Sequence, residues 1–213
     1  WRWYPGGEDQ PPDPFIAAKM GADATPAYRG TAEVVFEELA LETFGNRLPQ
    51  LTFKVIRAVE PLGRSIRAVT LIPGAGEFVY QPTPVSATPR PGVSESLNRH
   101  TLDAPRDWAA ALDELQPLCP NLESDALVVS WFGDDLRAGL CAVRPKVEEQ
   151  DKETSGATWQ VAGLARSEAQ LVSRIDDRPA FGGTPSDASV VAAIKDLKAR
   201  GLRVMLYPFV MMD

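Results

Sequence analysis

The stretch Asp187-Ala-Ser-Val-Val-Ala-Ala-Ile-Lys-Asp-Leu-Lys-Ala-Arg-Gly-Leu-Arg-Val-Met-Leu-Tyr-Pro-Phe-Val-Met-Met-Asp213 constrains the fold most, because two hydrophobic periods follow one another across a single glycine. Val190, Val191, Ile194 and Leu197 recur at the 3.6-residue spacing of a helix, with Lys195, Lys198 and Arg200 on its other side. Pro185, Ser186 and Asp187 are start signals, and Gly201 is a stop. From Val204 to Met212 the chain is almost wholly apolar, the pattern of a strand buried on both faces in a parallel sheet. Helix, glycine turn and apolar strand ending in an acid is the order of one repeat of a β/α barrel, a fold that carries its chemistry at the carboxyl rim of its strands. Such a strand needs neighbours, so this reading expects a portion of a larger protein. Trp1 in place of an initiating Met, with no signal-peptide pattern behind it, adds to that expectation.

The remainder can build cores of its own, since 44% of the residues are hydrophobic. A formal net charge of −7, with the 22 Lys and Arg scattered, argues against a nucleic-acid-binding surface. No apolar run approaches the roughly 20 residues that a membrane-spanning helix needs. Cys119 and Cys141 lack metal-ligand spacing, and buried apolar packing is preferred for them over a disulfide or a ligand pair. The 19 prolines gather in connectors and so mark boundaries.

Residues 1–26 read as an extended, acidic and proline-rich connector with a short helical patch at Phe15 to Met20. Trp1, Trp3 and Tyr4 form either a stacking platform or, preferably, a strand end anchored in a core. Residues 27–81 read as a small antiparallel β unit. Ala32 to Glu38 and Leu51 to Arg57 alternate as strands, and Ser65 to Ile72 pairs with Glu77 to Tyr80 across the turn Pro73-Gly-Ala-Gly76. Residues 82–102, with Pro82, Pro84, Pro89 and Pro91, suit an exposed linker or a strap over a neighbour. Residues 103–213 then alternate helix and strand. A helix capped by Asp103 buries Trp108, Leu112 and Leu115 and ends at Pro117 and Pro120; the apolar strand Ala126 to Phe132 follows. Strand patterns at Gly139 to Lys146 and Thr158 to Leu164 place an inserted β-hairpin at about 139–165, ahead of the final helix and strand. The fold class is therefore α+β passing into α/β.

Ala27-Tyr-Arg-Gly-Thr-Ala-Glu-Val-Val-Phe-Glu-Glu-Leu39 and Phe44-Gly-Asn-Arg-Leu-Pro-Gln-Leu-Thr-Phe53 resemble a segment of the large tail-tip proteins of siphophages and gene transfer agents. Ala126-Leu-Val-Val-Ser-Trp-Phe-Gly-Asp-Asp-Leu-Arg-Ala-Gly139 and Arg178-Pro-Ala-Phe-Gly-Gly-Thr-Pro-Ser-Asp187, continuing to Asp213, look like the start of the glycoside-hydrolase-type TIM-barrel-like domain of the gene transfer agent baseplate protein. The resemblance implies a hub-like β unit followed by the beginning of that barrel, in an interior portion of a baseplate protein. It further implies a homotrimer around the tail axis, location at the tail tip of a virion or gene transfer agent particle, and contacts with the hub, the distal tail protein and cell-surface glycan.

Asp134 and Asp135 directly follow a strand, and Asp213 ends another, so the three stand as candidate rim acids with Trp131 as a stacking aromatic. Cleavage of a glycosidic bond needs two carboxyl groups at a set separation, about 5.5 Å for retention or 6.5–9.5 Å for inversion. Two adjacent aspartates on one loop suit a turn better, with their carboxylates accepting backbone hydrogen bonds. Trp131 and Tyr207 alternate with apolar neighbours, and a place in the core is preferred for both over stacking on a sugar ring. No catalytic residue is assigned. His100 is the only histidine and has no nucleophile motif beside it, so a surface role is preferred. Gly74-Ala-Gly76 and Gly182-Gly183 are turns, without the spacing of a phosphate-binding loop; no cofactor or metal is implied.

Overall fold

The computed structural model describes residues 1–45, 47–58, 61–72, 74, 76–102 and 104–213. The chain forms two compact units, Trp1–Arg57 and Ala58–Asp213.

The first unit is built on a polar centre. Strand β1 (Arg2–Tyr4) pairs antiparallel with β2 (Glu33–Val35), Trp3 opposite Val34. Between them lies helix α1 (Pro14–Met20), where Asp13 accepts the Phe15 and Ile16 N–H groups and Pro14 fills the first turn. Asp13 is buried and also takes the Arg2 guanidinium at 2.7 Å and the Tyr4 hydroxyl at 2.7 Å. Those bonds, Arg2 foremost, hold its carboxyl well below the usual range. Gly6 at φ +78 is required twice over: a Cβ there would meet the Thr31 backbone at 2.6 Å.

Two expectations fail in this unit. The opening residues are not a connector, because β1 and α1 supply half of its structure; the helical patch does form. Leu51 to Arg57 makes no ladder, and Leu51, Phe53 and Val55 are exposed. The period alone does not make a ladder: among the described residues β2 pairs only with β1, and the 51–57 segment meets its neighbourhood through a side chain, Phe53 lying 6.3 Å from Phe36 between ring centres.

The second unit starts with the short helix α2 (Pro61–Ser65), then β3 (Ala68–Leu71) and the hairpin β4 (Ser86–Arg90) and β5 (Val93–Ser96). Helix α3 (Asp107–Leu118) leads to β6 (Ser124–Gly133). Eight two-residue strands follow: β7 (Val143–Arg144), β8 (Lys146–Val147), β9 (Thr154–Ser155), β10 (Gln160–Val161), β11 (Leu164–Ala165), β12 (Gln170–Leu171), β13 (Arg174–Ile175) and β14 (Arg178–Pro179). Helix α4 (Asp187–Ala199) and β15 (Arg203–Met212) complete it.

Its centre is a parallel sheet in the order β3, β6, β15, with α3 in the first crossover and α4 in the second. All ten residues of β15 run in register with β6, Arg203 opposite Ser124 and Met212 opposite Gly133. Both helices pack into one core: Trp108 and Leu112 of α3 and Val190, Ala193 and Leu197 of α4 close on Leu127, Tyr80 and Leu202. Trp108 Nε1 donates to Asp196 Oδ2 at 2.8 Å, so the helices are tied to each other as well as to the sheet. Ser186 caps α4 by accepting the Ser189 N–H. A second core gathers the insertion around Phe78, Val85, Val147, Trp159 and Val161.

The architecture is mixed α/β, with several small antiparallel ladders and no closed barrel among the described residues. Ala68–Leu71 joins the parallel sheet instead of pairing with Glu77 to Tyr80, which is a turn. The reason lies in its side chains: Glu77 is drawn into an ion pair with Arg166, and the Tyr80 hydroxyl donates to the Val128 carbonyl at 2.7 Å. The expected β unit at 27–81 is thus divided at Arg57, and the proline-rich 82–102 segment folds as the β4–β5 hairpin. Buried Asn98 pins that hairpin, accepting from Val85 N and donating to the Gln81 and Thr83 carbonyls. Helix α3 starts at Asp107 and passes through Pro117 to Leu118; the cap expected at Asp103 lies outside the described residues. In place of one hairpin at 139–165, the insertion holds β7 on β6, β8 parallel to β12, the β10–β11 hairpin, and β9 added to β4. Finally, β15 is not covered on both faces: Met205, Leu206, Tyr207, Phe209, Val210 and Met212 are 41–61% exposed.

Candidate functional site

Parallel strands collect their carboxyl ends, and any chemistry, on one rim. Here that rim is defined by Gly133 of β6 and Asp213 beyond β15, joined by the bond from Asp213 N to Gly133 O at 3.0 Å. Strands β6 and β15 are adjacent, so Asp134 and Asp213 follow neighbouring strand ends.

Each rim acid is already engaged. The Asp213 side chain is 1% exposed, accepts the Lys146 ammonium at 2.9 Å, and takes the Ser173 N–H at 3.1 and 3.0 Å. Burial raises its pKa, but the bonds from Ser173 and Lys146 outweigh it and leave the carboxyl below its ordinary value. Asp134 accepts Ala142 N–H at 2.8 Å and faces Arg144 at 3.4 Å. Asp135 turns back on its own loop, accepting Arg137 N at 2.8 Å, Nε at 2.9 Å and Nη2 at 2.6 Å, and Arg137 holds its pKa down. Trp131 is half-buried and packs against the second core, so it does not join the acids. Tyr207 is exposed on β15.

Beside the rim lies a groove of about 360 Å³ between the 76–78 turn, the end of β5 and the 179–182 loop. Its wall reaches the sheet through Phe181, whose ring sits 6.1 Å from that of Phe132 near the end of β6. Its lining includes Glu77, which is held in a buried ion pair with Arg166. Glu77 is 2% exposed and binds Arg166 through Oε1 at 3.1 Å and through Oε2, while also accepting Glu148 N–H at 2.8 Å. Arg166 lies 5.8 Å from the centres of both the Phe78 and Trp159 rings. Gly183 permits this arrangement, since a Cβ there would meet Glu77 Cγ at 2.7 Å. Glu148 pairs in turn with Lys152 at 2.7 Å.

His100 also lines the groove. Its Nδ1 is 2.7 Å from Asp107 Oδ2, while Asp107 Oδ1 accepts the N–H groups of His100 and Thr101. Burial pushes the Asp107 carboxyl up, and the three bonds together pull it below its ordinary value. An ionised acceptor at that distance makes Nδ1 the nitrogen that donates to Asp107.

Sequence reasoning found the rim but missed Glu77, Arg166, Lys146, Glu148 and the His100–Asp107 pair. Only His100 carried a signal, its uniqueness; the other partners are 67 to 89 residues apart along the chain. The trio Trp1, Trp3, Tyr4 is split by strand alternation. Trp1 and Trp3 line an apolar groove of about 480 Å³ with Phe36 and Phe53, whereas Tyr4 turns to Asp13. Cys119 is buried and Cys141 half-buried, both as free thiols. Among the described residues no group of three metal-ligating side chains is placed to hold an ion, and no helix is long and apolar enough to cross a membrane. Compared with known proteins, the chain matches no family model and no curated protein.

Proposed function

We propose that this chain is a structural part of a phage-like tail tip, its first unit belonging to a hub-like region and its second beginning a TIM-barrel-like domain. The observation that carries this reading is β15. Six apolar side chains of a ten-residue strand stay uncovered on both faces, a surface that water does not tolerate unless further structure packs on it. The order β3, β6, β15, with one helix in each crossover, is the arrangement from which a β/α barrel grows. The motifs at 27–53, 126–139 and 178–213 support the tail assignment by resemblance. On this reading the protein assembles as a homotrimer with the hub and distal tail proteins, through obligate interfaces on the order of 2,000 Å² or more.

The alternative is hydrolysis of cell-wall or capsule glycan by the barrel. Asp134 and Asp213 on one rim favour it, but their engagement with Arg144 and Lys146 works against it. A catalytic pair needs one carboxyl free to exchange a proton and another free to attack or to activate water. Mass measurement of the assembled particle tests the leading reading: copies in multiples of three are expected, and a full-length protein that stays monomeric and never joins a tail defeats it. Incubation with peptidoglycan or capsule separates the alternative, which requires released reducing ends.

A further inference from the structure

We propose that the aromatic groove of the first unit docks a proline-rich segment of a partner protein in the extended polyproline conformation. This inference does not rest on the tail assignment. Strand alternation divides β1: Arg2 and Tyr4 reach Asp13, while Trp1 and Trp3 share the other face, where Trp3 stands opposite Val34. Phe53 walls the groove from the 51–57 segment, its ring 6.3 Å from that of Phe36. The side chains around this space of about 480 Å³ carry hydrogen-bond donors and no acceptors. Trp1 and Trp3 bring indole N–H groups, neither of them bonded among the described residues, and Lys54 brings an ammonium; the other five lining side chains are hydrocarbon. That inventory selects the occupant. A packed helix or sheet face has already used its carbonyls, so covering the groove with one would bury both indole N–H groups without acceptors. A sugar brings a donor on every hydroxyl and meets no acceptor side chain. Polyproline makes no internal hydrogen bonds, so its carbonyls are free to accept, and its ring nitrogens carry no hydrogen. The spacing agrees: Trp1 and Trp3 are two residues apart on an extended chain, about 7 Å, and two residues of polyproline rise about 6 Å. Aromatic faces joined to donors are how grooves of this kind hold a preformed, low-entropy proline-rich ligand.

The test is a chemical-shift titration of the amide and indole N–H signals of the whole chain at millimolar concentrations of hexaproline, cellohexaose and a Leu/Lys amphipathic helical peptide. Hexaproline is expected to move the indole protons of Trp1 and Trp3 downfield, together with the amides of 34–36 and 53–56. Trp108 and Trp159 already donate to Asp196 and to the Thr184 carbonyl, so their indole signals stay in place as internal references. Trp1→Phe keeps a ring at a highly exposed position and removes one donor; it is expected to weaken hexaproline binding about fivefold. Phe53→Ala, also exposed, removes a wall and is expected to weaken binding at least as much, while Leu48→Ala outside the groove leaves it unchanged. Cellohexaose or the helical peptide binding as tightly as hexaproline overturns the proposal. So does hexaproline binding that leaves both indole protons unmoved or ignores the groove substitutions, or no response to hexaproline at all.

Discussion

Asp125 is the residue at which sequence and stability disagree most. It sits on β6 in register between Val69 of β3 and Val204 of β15, is 1% exposed, and neither carboxylate oxygen has a hydrogen-bond partner among the described residues. Burial pushes its carboxyl above the ordinary value. A raised folded-state pKa means that the folded protein holds this proton more tightly than the unfolded chain. Its penalty is therefore absent at low pH, appears as pH rises past the unfolded carboxyl range near ~3.9, and is complete above the raised folded value. Asp125→Val, matching the valines on either side, is expected to stabilise the protein at neutral pH by about 1–3 kcal/mol, the cost of an unsatisfied buried polar group. Urea titrations across pH should show that gain shrinking under acid. A gain independent of pH, or a loss, would assign Asp125 a bonded role. Nothing in Leu-Glu-Ser-Asp-Ala-Leu marks the site in advance, because burial of one acid depends on two strands that arrive from elsewhere in the chain.

At the scale of elements, legibility follows the range of the interactions. Helix α4, its Ser186 cap and the strands β6 and β15 were readable because period and punctuation are local, and the structure moves the strand ends by two residues at most. Partner choice was not readable. Ala68–Leu71 has no mark distinguishing a parallel place beside β6 from a hairpin with the segment that follows, and Leu51 to Arg57 alternates without a partner to pair with. Runs of two residues, such as β8 and β12, carry no period at all; they exist because Val147, Trp159 and Val161 close the second core. For β15 the sequence fitted a covered strand and the structure leaves it open. Its Pro208 lacks a donor, which an edge tolerates. Met205 and Phe209 share the face of Ala126 and Ser130, away from the helices that close on Leu127. Replacing both with Lys is expected to alter folding stability by no more than about 0.5 kcal/mol while lowering the concentration-dependent light scattering that an uncovered apolar face is expected to produce. Unchanged scattering would show that this face is not what makes the chain associate.

The whole molecule divides unevenly. Residues 58–213 contain both hydrophobic cores, the parallel sheet and the rim, whereas the first unit buries Val35 as its one fully enclosed apolar side chain among the described residues and is otherwise organised around Asp13, Arg2 and Tyr4. Two strands of three residues and a helix of seven bury too little to fold independently in water. The polar centre adds an acid dependence: the carboxyl of Asp13 is held low by Arg2, so its contribution is present above the unfolded carboxyl range and is lost as pH falls through the depressed value. Expressed separately, residues 58–213 are expected to keep dispersed amide signals and a cooperative urea transition, while residues 1–57 give the narrow spectrum of an unfolded chain. Loss of dispersion in the larger piece would mean that its cores require the first unit. A folded small piece would mean that a polar centre of one aspartate with two partners is enough to hold that unit, against the area that its ladder and helix can bury.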